Sequence, residues 1–156
     1  VPVEGFGGQK CQMKDVRISS HGSWQHQHWN ALESAYGETP FFEYYADDIR
    51  PFFEKKWEFL YDYNMDITAA VLQILDLQPT YGPTREYYTP EVYKQSEASD
   101  FREVINPKHP LPDDEWQPKP YWQVYGSRHG FLPNLSILDL LFNQGPESER
   151  YLMDNG

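Results

Sequence analysis

Histidine gathers in one stretch, SHGSWQHQHW, where His21, His26 and His28 raise the question of a metal ion. Ser23 is a good helix N-cap, and a helix beginning there sets His26 and His28 roughly 200° apart around its axis. They cannot then share an ion. On that reading His28, four residues after Trp24, joins a buried stripe with its ring nitrogens satisfied, and no metal site is expected. Carboxylates pair at Asp47-Asp48, Asp113-Asp114-Glu115 and Glu147 to Glu149. Adjacency alone does not aim two of them at one substrate, so capping and solvation account for most. Cys11 is the single cysteine. It forms no internal disulfide and no multi-cysteine zinc site, and no nucleophile-elbow spacing supports a catalytic serine.

The stronger candidates are basic groups among aromatics. FREVINPKHP carries Arg102, Asn106, Lys108 and His109, and YGSRHGF carries Arg128 and His129. Such groups on ordered loops suit a pocket for a small anionic or sugar-bearing molecule, with Arg102, His109, Arg128 and His129 as the binding set. They would serve equally well to satisfy backbone carbonyls in a proline-rich segment. A phosphate loop is not expected from Gly5-Phe6-Gly7-Gly8, because no Gly-Lys-Ser/Thr ending and no long apolar strand accompany it.

Three zones must position these groups. At the start, residues 1–3 and 14–19 read as short strands, the second alternating with Val16 and Ile18 on one face. Residues 23–77 read as helices. The first has Trp24, Ala31, Leu32 and Ala35 as its apolar positions and ends at Gly37. Thr39-Pro40 restarts the chain, and Asp47 or Asp48 opens an amphipathic helix over 49–63 with Ile49, Phe53, Trp57 and Leu60 in line. Ile67, Ala70, Val71, Ile74 and Leu75 then keep the cleanest helical period, which stops before Pro79. Nine of the 13 prolines fall between Pro79 and Pro133, so that region should be irregular, yet its aromatics predict an ordered wrap over the helices. Residues 121–125 are its best strand. Ser136 with Asp139 resembles a capping box opening a helix over 137–142, and another follows over 147–153. The fold class expected is α+β: a mainly helical layer, a small sheet and a long proline-rich irregular wrap.

The chain has 156 residues, enough for one core, and a formal net charge of −11. That charge argues against nucleic acid or an anionic membrane as partner. Five Trp, twelve Tyr and nine Phe at a mean hydropathy of −0.77 mean that aromatic bulk must build the core. No apolar run is long enough to insert in a membrane, and the first 20 residues lack the pattern of a secretory signal.

Taken together, WQHQHWNALESAYGETPFFEYYADDIRPFFEKKWEFLYDYN, DFREVINPKHP and KPYWQVYGSRHGFLPNLSILDLLFNQGPES resemble the WbqC-like protein family in its shorter form, with GFLPNLSILDLLFNQGPES the most specific piece. The resemblance implies a bacterial cytoplasmic protein of O-antigen or lipopolysaccharide biosynthesis. It names no catalytic residue and no cofactor. It also implies a single domain over 1–156 that lacks a strand, an aromatic turn and a helix present in fuller members. Two functions are consistent with this: a transferase or ligase acting on a nucleotide-linked or acyl-activated small molecule, and a non-catalytic module whose aromatics face a protein partner or a second copy.

Overall fold

Apolar spacing produces the first long helix, α1 (Trp24–Tyr36), which starts after Ser23 without a bond from that hydroxyl, in the computed structural model, which describes residues 1–5, 7, 11–94, 96, 98–102 and 118–154. Its buried positions are Trp24 and Trp29, with Leu32 and Tyr36 half-buried, whereas Ala31 and Ala35 are exposed. His28 is exposed too, and it meets Trp24 edge-on at 5.3 Å. The predicted buried histidine is therefore corrected: the stripe turns through Trp29 instead, because the larger apolar ring takes the core position. Two short helices follow, α2 (Phe42–Ile49) and α3 (Pro51–Glu54), then α4 (Leu60–Ile74). Asp47 and Asp48 lie inside α2 and open nothing.

The single helix expected over 49–63 is broken, and the cause is long-range. The chain becomes extended at Lys55, the Ile18 N–H donates to the Glu58 carbonyl at 2.9 Å, and the Leu60 N–H donates to the Val16 carbonyl at 2.9 Å. Backbone groups committed to residues 16–18 cannot serve a helix.

The predicted sheet is absent from the described residues. Pairing at the N-terminus consists of two isolated antiparallel bridges, Val3 with Ile18 and Arg17 with Phe59. Three short runs meet there, but none is long enough to extend a ladder past one bridge, and Pro2 has no N–H to offer. Residues 121–125 form no strand either. Their backbone is taken by side chains of α7 (Ile137–Gln144): Asn143 Oδ1 accepts from the Val124 N–H at 2.9 Å, and Gln144 Nε2 donates to the Trp122 carbonyl at 2.9 Å. The fold class is thus helical, not α+β.

Two clusters of rings and aliphatics make the core. Trp29, Phe42, Tyr45, Ile49, Leu75, Leu141 and Phe142 join α1, α2, α4 and α7, with Phe42 edge-on to Phe142 at 5.1 Å. Ile18, Trp24 and Tyr63 form the second, backed by Phe52 and Trp57. Burying one such ring is worth roughly 1.5–3 kcal/mol, so aromatic area dominates this interior. α8 (Glu147–Met153) closes against α7.

The proline-rich region behaves in two ways. Residues 78–92 are exposed throughout and do not wrap the helices; they include the start of a short helix, α5 (Pro90–Lys94). Residues 118–133 do pack inward, through Tyr121, Gln123 and Phe131, and carry α6 (Gly126–His129). No helix among the described residues is long and apolar enough to cross a membrane.

Candidate functional site

Arg102 is already engaged within the protein. Its Nε donates to Asp100 Oδ1 at 2.8 Å, its Nη2 to Asp100 Oδ2 at 2.5 Å, and its Nη1 to the Tyr88 carbonyl at 3.0 Å. The guanidinium also lies over the rings of Tyr87 at 5.1 Å and Tyr93 at 4.7 Å. Asp100 holds the guanidinium further in its charged form, and the same hydrogen bonds hold the Asp100 carboxyl below its usual range. A planar fork between two rings is a clamp on the loop.

Arg128 and His129 occupy α6, both exposed, and neither side chain has a hydrogen-bond, ion-pair or ring partner among the described residues. Nothing in the described residues joins them to Arg102. His109, with Asn106 and Lys108, lies outside the described residues. The turn that presents Arg128 and His129 is closed from inside by Gln123, which donates to the Leu132 carbonyl at 3.0 Å while its Oε1 accepts from the Leu132 N–H at 2.9 Å. One amide thus mimics a strand partner across residues 123–132. Gly130, at φ +72°, reverses the chain after α6 with open space around it.

Beneath that turn is a buried carboxylate. Asp139 Oδ2 accepts from Gln123 Nε2 at 2.8 Å and from the Tyr121 hydroxyl at 2.6 Å. Ser136 does cap α7, accepting from the Leu138 N–H, but Asp139 turns inward and leaves the capping box half made. Burial first, then the charge and hydrogen bonding of Asp139, pushes the Tyr36 phenol up to about 12, and burial followed by the bond to Asp139 raises Tyr121 as well. Both phenols therefore stay neutral donors around the carboxylate. Sequence reasoning placed Asp139 only as a cap; its inward role depends on Tyr121 and Gln123, which local pattern does not link to it.

The surface also carries concavities. A cleft of about 470 Å³ is lined by Tyr44, Asp48, Gln73, Asp76 and Glu149 and has no basic side chain, so it does not suit an anion. No group of three metal-ligating side chains occurs among the described residues. The larger groove, about 870 Å³, lies where the N-terminal segment, the start of α1 and the extended Lys56–Glu58 stretch meet, and it brings Arg17 and Lys56 beside Ser20 and Ser23. Sequence reading missed this groove because the bridge from Arg17 to Phe59 creates it.

Residues 1–110 match the WbqC-like protein family. The chain belongs to that family. The matched span of this WbqC-like chain holds the whole groove and the Arg102 clamp. It ends before the segment from Gly130 to Ser148, the most specific part of the sequence resemblance, so α6 and Asp139 lie outside it. No curated protein and no solved structure matches the chain.

Proposed function

We propose that this WbqC-like chain acts in bacterial surface polysaccharide assembly, of the O-antigen or lipopolysaccharide type, as a transferase or ligase on a nucleotide-linked or acyl-activated small molecule. Family membership supplies the setting. The observation that carries the reading is the Arg128–His129 pair, two basic side chains without partners among the described residues, on a turn fixed by buried hydrogen bonds. In this reading they take the ligand's anionic group, Arg102 and His109 belong to the same basic set, and Arg102 also holds its own loop in shape. The test is a thermal-shift panel of nucleotides, sugar nucleotides and acyl donors on the full protein and on Arg128→Ala. A stabilising ligand whose effect is lost in the variant supports the reading; no stabilisation by any member removes it.

A specific observation favours a second reading, a non-catalytic partner surface. Tyr81, Tyr87, Tyr88, Val92 and Phe101 are all exposed along one stretch, with Tyr87 at 77%. Sedimentation of a Tyr87→Ser, Phe101→Ser variant against the parent reads the self-associating form of this idea, which fails if both are monomers at every concentration.

A further inference from the structure

We propose that the groove at the start of α1 is a binding site for a phosphorylated sugar, separate from the Arg128–His129 turn. The rings that line the groove are already engaged with one another. Trp57 is stacked on Phe52 at 5.8 Å with 9° between planes, Lys55 Nζ sits 4.2 Å over the same indole, and Tyr63 meets it edge-on at 5.4 Å. Trp24 is met by His28 at 5.3 Å and by Tyr63 at 6.0 Å. The indoles are walls, not stacking platforms, so a ligand that binds by laying a base on an aromatic face finds none prepared here.

Recognition must then come from polar groups, and the groove supplies an unusual mixture for so acidic a chain. Lys56 has no partner among the described residues, and neither has the Glu4 carboxylate. Ser20 makes no side-chain hydrogen bond among the described residues, and Ser23, though at the N-cap position, does not cap α1: its Oγ accepts a long bond from Gln27 Nε2 at 3.5 Å, which leaves its O–H to donate. Arg17 is held in place by an ion pair with Glu58 and by Phe59, whose ring lies 4.8 Å from the guanidinium carbon. Gln25 ties the wall together, its Nε2 donating to the Lys55 carbonyl at 2.7 Å. One free ammonium calls for one anionic group, while a carboxylate and two hydroxyls call for ligand hydroxyls, since a carboxylate only accepts and a serine does both. A sugar monophosphate carries both kinds of group and fits within about 870 Å³.

The test titrates the ¹⁵N-labelled full chain with glucose 1-phosphate, glucose and uridine, reading the indole N–H signals of Trp24 and Trp57, assigned through Trp→Phe variants. Glucose 1-phosphate should move both signals saturably, glucose about tenfold more weakly, and uridine not at all. Lys56→Ala and Ser20→Ala, at exposed positions that leave the fold intact, should each weaken the glucose 1-phosphate response, Lys56→Ala by about tenfold. Unmoved signals, a response to uridine equal to that of the phosphate ester, or a Lys56→Ala variant binding like the parent would each overturn the proposal. Those outcomes leave the Arg128–His129 reading untouched, because that reading is judged by the Arg128→Ala thermal shift.

Discussion

Gln123 Nε2 and Asp139 Oδ2 meet at 2.8 Å inside the protein, the buried member of a set of bonds that fastens the irregular segment before α7 to the helix itself. The same amide closes the turn bearing Arg128 and His129. A side chain on a proline-rich segment thus does what a neighbouring strand would do elsewhere.

Removing the carboxylate should be costly. Asp139→Ala leaves one buried Gln123 N–H and the half-buried Tyr121 hydroxyl without their acceptor, and a loss of about 2 kcal/mol is expected. Asp139→Asn keeps an acceptor and should lose less. Urea unfolding of both variants checks the order, and an Asp139→Ala variant as stable as the parent would contradict the buried network.

Alkaline titration has a definite sign. Tyr36 is pushed from 10.0 up to about 12, so the unfolded chain ionises first as pH rises. Its contribution to stability is complete below pH 10 and is lost between 10 and about 12, with Tyr121 and Tyr63 acting in the same direction. Tyr36→Phe should flatten the fall in melting temperature across that window. Ultraviolet titration of phenolate absorbance should show a late-ionising class that this variant depletes.

Two glycines at positive φ separate strain from collision. A Cβ on Gly145 (φ +56°) would lie 2.6 Å from Phe41 Cδ1 and Cε1, whereas one on Gly130 (φ +72°) meets nothing within 4 Å. Gly130→Ala should therefore cost about 1 kcal/mol from backbone conformation alone, and Gly145→Ala about 3 kcal/mol once the ring must move. Denaturant midpoints compare them directly, and equal losses would refute the role given to Phe41.

Much of the helical scaffold was legible because it is local. The Ser23 start of α1, the period from Ile67 to Leu75 and the Ser136 start of α7 need only neighbours three or four residues away, and all three appear. What pattern could not show was set by distant partners. The break before Trp57 follows from residues 16–18, the lost strand at 121–125 from Asn143 and Gln144, and the exposure of His28 from the prior claim of Trp29 on the core. Among the candidate site residues, type and exposure were readable for Arg128 and His129, while the enclosure of Arg102 by Tyr87, Tyr93 and Asp100 was not, since it depends on how the loop turns back.

Arg102→Lys should fail to restore the clamp that Arg102→Ala removes, because an ammonium cannot lie flat between Tyr87 and Tyr93 while also holding Asp100. Faster amide exchange confined to α5 and its flanks, with the global melting temperature little changed, is the expected signature in both variants. Equal protection in Arg102→Lys and the parent would show that charge alone suffices.

The Arg102 clamp also bears on the order in which the chain organises. Its hydrogen bond to Tyr88 spans 14 residues, whereas the ion pair between Arg17 and Glu58 spans 41. Closing the shorter loop costs less chain entropy and requires no part of the helical interior. The tyrosine–arginine knot therefore closes on local contacts, independent of the two core clusters.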